Sequence, residues 1–139
     1  GGFTEFVPLP FVHMEAPIYL KGFARRGPTF RESILMHAIA RIVLHPVIRN
    51  IQVSWVKMGQ EGIQACLNAG VNDLGGTLMN ESISRAAGTV HGQECEPYKM
   101  ERIIKNAGRR AVQRTTLYND VTSERAAASY NAEPLAAIA

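Results

Sequence analysis

The sequence predicts an α/β fold of parallel strands joined by helical crossovers, with too few strands to close on itself. Segments of period-2 alternation and segments of helical spacing take turns along the chain, the pattern of βαβ units. Only three strand-like segments stand out in 139 residues. A parallel sheet needs cover on both faces, which three strands and their helices do not supply. The units therefore read as part of a (β/α) TIM-type barrel or of a larger doubly wound sheet. The opening Gly1-Gly2-Phe3-Thr4, without an initiator methionine, adds the expectation of a C-terminal fragment.

Residues 3–12 read as the first strand, loosened at its far end by Pro8 and Pro10, which cannot donate to a ladder. His13 to Pro28 is a long Gly-, Pro- and Arg-rich connection, a length usually functional or disordered. Residues 30–45 form the best helix. Thr29 and Glu32 make a capping box, Pro46 marks the stop, and Ile34, Leu35, Ala38, Ile39, Ile42 and Val43 form one apolar stripe expected to face inward.

Residues 50–57 alternate as a second strand, with Ile51, Val53 and Trp55 on the packed face and Gln52 and Ser54 toward a polar interior. A short helix over 60–69 buries Ile63, Cys66 and Leu67 and stops at Gly70. Residues 71–75 form the third strand and run into Gly75-Gly76. A short helix over 81–87 follows, with Asn80 as its cap. A helix over 97–107 opens on Pro97 and turns Met100, Ile103, Ile104 and Ala107 inward. Residues 110–118 read as extended, and 119–139 as a flexible Ala-, Ser- and Glu-rich tail. The folded portion is thus expected to span 1–118.

Composition excludes several classes. At 46% hydrophobic residues the chain is not intrinsically disordered. A net charge of +3, with small groups such as Arg25-Arg26 and Arg109-Arg110, lacks the dense basic face of a nucleic-acid binder. No apolar run approaches the roughly 20 residues of a membrane helix. No basic segment followed by an apolar one opens the chain, so no signal peptide is expected. With two cysteines and neither signal, a reducing, cytoplasmic setting is expected.

Barrel chemistry sits at the C-terminal strand ends, here Pro8 to His13, Ser54 to Gly59 and Asp73 to Asn80. His13 closes a strand and opens the long connection. His37 and His45 lie eight residues apart on one helix, too far for one metal ion, and no metal site is expected. Cys66, on an apolar helix face, reads as a small buried hydrophobe. Cys95, between Glu94 and Glu96, makes a poor nucleophile because neighbouring carboxylates raise a thiol pKa. Asn72 and Asp73 cost stability in a strand unless they find partners, so ligand binding is the sharper reading and loop-tying the plainer one. The Gly75-Gly76 pair lacks the surroundings of a dinucleotide or P-loop site and reads as a tight bend or a close backbone approach. Trp55 reads as a core anchor.

Four segments resemble a known family: Phe3 to Glu15, Asn50 to Lys57, Ala69 to Gly88 with its Asn72-Asp73-Leu74-Gly75-Gly76-Thr77-Leu78-Met79-Asn80-Glu81 run, and Gln113 to Tyr118. They are similar to the C-terminal region of FO synthase in its tyrosine-using, CofH-type form. The resemblance covers about residues 1–118. It implies a radical S-adenosylmethionine enzyme on a (β/α) TIM-type barrel, of which this chain would be the last three units. In such an enzyme a 4Fe-4S cluster cleaves S-adenosylmethionine, and the resulting radical acts on L-tyrosine. The fragment formed joins 5-amino-6-(D-ribitylamino)uracil on the way to a deazaflavin coenzyme. The family's C-x-x-x-C-x-x-C motif is absent here, so cluster ligands and the remaining half of the barrel are expected outside this chain. By the same resemblance Pro8, Phe11 and His13 lie near the adenosyl or substrate side, and Gln52, Ser54, Asn72, Asp73, Thr77, Asn80 and Glu81 line the cavity. Two alternatives are a menaquinone-pathway relative with a different substrate and a non-catalytic half-barrel that binds a partner.

Overall fold

The computed structural model describes residues 2–78 and 80–133. Its sheet is small and parallel. Strand β1 (Glu5–Phe6) pairs with β2 (Asn50–Ile51) in the register Glu5 to Asn50 and Phe6 to Ile51. A parallel bridge from Gln52 to Asp73 adds a third extended segment, closed by Asn72 N–H on the Ile51 carbonyl and Val53 N–H on the Asp73 carbonyl. The α/β class and the parallel pairing of three segments agree with the sequence. The strands are shorter than the alternation suggested. Prolines follow β1, and a helix begins at Trp55.

The connection after β1 holds α1 (Pro17–Leu20), with Pro17 at a first-turn position where no donor is missed. Helix α2 (Phe30–Leu44) starts at the expected capping box: Thr29 Oγ1 accepts from Glu32 N–H at 3.2 Å, and Thr29 N–H donates to Glu32 Oε2 at 2.7 Å. The bonds that Thr29 N–H and the Thr29 hydroxyl donate to Glu32 Oε2 hold the Glu32 carboxyl below its usual pKa. The buried face of α2 differs from the expected stripe. It carries Ser33, His37 and Ala40, with Ile34 of the expected stripe packed against the core, while Leu35, Ile39, Ile42 and Val43 are 46–78% exposed. A helix turns to its neighbours the side nearest them. Helix α3 and β2 contact α2; the 33–37–40 side is the buried one, and among the described residues the side bearing Leu35, Ile39, Ile42 and Val43 stays exposed. Ser33 Oγ donates to the Thr29 carbonyl, and His37 Nδ1 lies 2.7 Å from the Ser33 carbonyl, so the polar side chains are partly satisfied within the helix.

Helix α3 (Trp55–Asn68) begins earlier than expected and kinks at Gly59, whose φ of 63° and ψ of −177° are open only to glycine. Trp55 is buried in either conformation, which is why alternation misread it. Its indole N–H donates to the Gly76 carbonyl at 2.9 Å and pins the bend after the third strand. Ile51, Val53, Ile63, Cys66, Leu67, Val71 and Leu74 build the core under the sheet.

Helix α4 (Ile83–Ala86) is capped at Ser82 rather than Asn80. Glu81 takes over the capping, accepting the Ser84 N–H at 3.0 and 3.1 Å. Helix α5 (Pro97–Asn106) follows its expected pattern, with Ile103 buried and Met100, Ile104 and Ala107 packed against the core. Residues 110–118 pair only at an antiparallel bridge from Arg114 to Asp120. The expected tail contains helix α6 (Ser123–Tyr130), capped by Thr122 Oγ1 on Arg125 N–H. Its alanines favour helix, and Tyr130 meets Tyr98 of α5 edge-on at 4.8 Å. The end of that tail, 134–139, lies outside the described residues.

Candidate functional site

A half-open cleft of about 870 Å³ lies between the third strand, α5 and the segment that returns after Gly108. Glu5, Asn50, Gln52, Asn72, Asp73, Gly75, Thr77, Arg114 and Tyr118 are among its lining residues. On its wall Arg114 gathers one partner from each extended segment. Its Nε donates to Asp73 Oδ2, its Nη2 donates to Gln52 Oε1 at 3.5 Å, and the same nitrogen lies 3.7 Å from Glu5 Oε2. Nη1 donates to the Thr115 carbonyl at 3.1 Å, and the guanidinium carbon sits 4.0 Å over the Tyr118 ring. Tyr118 O–H donates to Glu5 Oε2 at 2.6 Å. Tyr118 holds a φ of 63°, uncommon for a side chain of its size.

Electrostatics follow from this arrangement. Burial disfavours the charge on Arg114, yet the hydrogen bond and charge of Asp73 outweigh it and hold the guanidinium above its ordinary pKa. Burial and the bond to Glu5 push the Tyr118 phenol well above its usual value, so it is a fixed donor. Burial pushes the Cys66 thiol up to about 11. Cys95 is also raised. The first cause is burial, not the adjacent carboxylates alone, and Lys99 opposes it. Both thiols are free and buried, so neither suits a nucleophile or a metal ligand. Among the described residues no group of three His, Cys, Asp or Glu side chains could hold a metal ion.

Of the residues singled out in the sequence, the structure brings Gln52, Asn72, Asp73 and Thr77 to this cleft. Asn72 is occupied in tying elements together: its Oδ1 accepts from Arg41 Nη2 at 2.7 Å and from Ile51 N–H at 2.9 Å. Asp73 is occupied too, its Oδ1 accepting the Gly75 N–H at 2.6 Å. Close approach explains Gly75, since a Cβ there would lie 2.8 Å from Gln52 Nε2. Pro8, Phe11, His13, Ser54, Asn80 and Glu81 fall outside the cleft lining. His13 packs edge-on against Tyr19 at 4.7 Å. His37 is fully buried, and among the described residues its Nε2 has no partner. Glu5, Arg114 and Tyr118 escaped the residue-by-residue reading. The only signal for the last two was their place in the Gln113-to-Tyr118 segment.

The sequence model of the CofH/MqnC C-terminal region family matches residues 1–126. The chain belongs to this family. Its relatives include a Methanopyrus kandleri protein named 5-amino-6-(D-ribitylamino)uracil–L-tyrosine 4-hydroxyphenyl transferase, 56% identical over 121 residues. That match covers 87% of this chain and 33% of the relative. The FO synthase of Mycobacterium leprae is 58% identical over 118 residues, and that of Streptomyces avermitilis 54% over 125. These matches cover 85% and 90% of this chain, and 14% of each synthase. The chain thus spans a third or less of the relatives it matches, and the family match extends past Tyr118 into α6.

Proposed function

We propose that this chain is the closing part of the (β/α) TIM-type barrel of a radical S-adenosylmethionine transferase. That enzyme joins a fragment of L-tyrosine to 5-amino-6-(D-ribitylamino)uracil in making a deazaflavin coenzyme. The observation that carries this is identity of 54–58% across most of the chain to proteins bearing those names. The barrel assignment is supported by parallel pairing through helical crossovers, by the unpaired outer edge of β1 among the described residues, and by the uncovered apolar side of α2.

A 4Fe-4S cluster does not fit the residues of this chain. Its two cysteines are buried in separate elements with raised pKa values. The cluster and S-adenosylmethionine belong to the remainder of the enzyme, the other half of the barrel, which is this chain's first partner. The part played here is binding and orientation. Gln52 and Thr77 line the cavity, Asn72 and Asp73 hold its wall, and Pro8, Phe11, His13, Ser54, Asn80 and Glu81 belong to the strand ends where neighbouring units complete the mouth. No helix among the described residues is long and apolar enough to cross a membrane.

The test is anaerobic turnover of the full-length parent with L-tyrosine and the ribitylaminouracil. A covalent adduct of the two is expected. Failure to form it, with S-adenosylmethionine cleavage intact, would overturn the assignment in favour of a menaquinone-pathway relative with another substrate.

A further inference from the structure

We propose that the cleft holds a carboxylate subsite for an amino-acid reactant, built from Arg109 and Arg110 after the end of α5 and Arg125 in the first turn of α6. That the ligand is an amino acid rests on the reaction proposed above; the excess of positive charge does not.

Seven charged side chains line the cleft, three acidic ones and four arginines. Each acidic one already has a cation. Asp73 and Glu5 share Arg114, and Glu101 pairs at 3.1 Å with Lys105, which is not a lining residue. Arg114 is occupied by its two carboxylates. Arg109, Arg110 and Arg125 remain, and among the described residues their guanidiniums form no ion pair. Only backbone groups of these residues are engaged: Arg109 N–H donates to the Ile104 carbonyl, Arg125 N–H to Thr122 Oγ1, and the Arg125 carbonyl accepts from Ser129 Oγ. Asp120 and Glu124, close to Arg125 in sequence, are not lining residues.

Helix stability does not account for all three arginines. Arg109 and Arg110 follow the C-terminal end of α5, which favours cations. Arg125 is the third residue of α6, at the end of a helix that favours anions and disfavours cations. An anion in the cleft answers that guanidinium and the helix end together. The two elements that carry the arginines are held to each other: Tyr98 of α5 meets Tyr130 of α6 edge-on, and Gln113 Nε2 of the returning segment donates to Ser129 Oγ at 2.9 Å.

Chemistry narrows the anion. The guanidinium fork matches a carboxylate through two parallel N–H···O bonds. Of the proposed reactants, L-tyrosine and S-adenosylmethionine each bring an α-carboxylate, and the ribitylaminouracil brings none.

Anaerobic equilibrium titration of the full-length transferase tests this with ligand pairs that differ only in the carboxylate. The pairs are L-tyrosine against tyramine, and S-adenosylmethionine against its decarboxylated form. In wild type the carboxylated member of one pair binds at least about tenfold more tightly, and in Arg125→Gln this advantage falls to about threefold or less while the other member keeps its Kd within about twofold. Arg110→Gln, in a different element, gives the same selective loss, so a disturbed α6 cannot mimic the result. Both side chains are exposed, and their replacement leaves the fold intact. The pair whose advantage falls identifies the bound reactant. No carboxylate advantage in either wild-type pair, an advantage that survives Arg110→Gln combined with Arg125→Gln, or equal losses for both members of a pair would each overturn the inference. Equal losses would assign the arginines to holding the fold. A carboxylate advantage that the variants abolish, in an enzyme that forms no adduct, would sustain the subsite and remove the proposed reaction. Adduct formation with an unaltered advantage would do the reverse.

Discussion

Asp73 is 7% exposed and carries a charge opposite one principal cation, Arg114. Breaking such a pair from one side leaves a buried charge without compensation, at a cost of about 3–5 kcal/mol. Arg114→Met is expected to lower the unfolding free energy by about that amount in denaturant titrations. Asp73→Asn in the same background should recover part of it. The Tyr118 phenol makes a different prediction. Its folded pKa lies above the ordinary value near 10, so its contribution to stability is complete below pH 10. Above that, the unfolded chain releases the proton and the folded one retains it, and stability falls as pH rises. Ultraviolet titration of the four tyrosines should show one that ionises only on unfolding, and Tyr118→Phe should abolish that late step. Gln52 and Asp73 were legible in the sequence because strand parity and polar cost are local signals. Their organiser was not. Arg114 stands 41 residues from Asp73, and Tyr118 stands 113 from Glu5, and no local pattern encodes a partner at that distance.

The start of α2 was the most legible feature. The Thr29–Glu32 box spans three residues, and short-range hydrogen bonds decide it whatever the tertiary surroundings. Helix faces were less so. The most apolar stripe of α2 is outward, and His37 is inward, because burial follows the position of α3 and β2 rather than the hydrophobicity of the helix taken alone. Helix α3 shows the same limit at its start, where an alternating run beginning at Ile51 becomes helical at Trp55. Gly59 makes that kink possible. Gly59→Ala would force a side chain into a region open only to glycine, with its Cβ 2.6 Å from His91 Nδ1. A loss of about 1–3 kcal/mol from the backbone alone is expected, read as a lower thermal midpoint. His91→Ala in that background should restore only the part due to the contact.

At the scale of the whole molecule, the outer edge of β1 has no strand partner among the described residues. The side of α2 bearing Ile39, Ile42 and Val43 is open. Open edges and contiguous apolar patches pair with whatever meets them. The 139-residue chain purified alone is therefore expected to elute as self-associated species in size-exclusion chromatography with light scattering. Co-expression with the remainder of the barrel should suppress this. A dilute monomer with one sharp unfolding transition would contradict it. By itself the sequence determined the α/β order, the capping box of α2, the proline start of α5, the glycine stops and membership of a family, since these depend on residues near one another or on patterns repeated among relatives. Only the tertiary structure decided which face of each helix is buried, that the last residues before 131 form a packed helix, and that Arg114 draws Glu5, Gln52 and Asp73 together. Those outcomes depend on which distant surfaces meet, and chain order alone does not specify that.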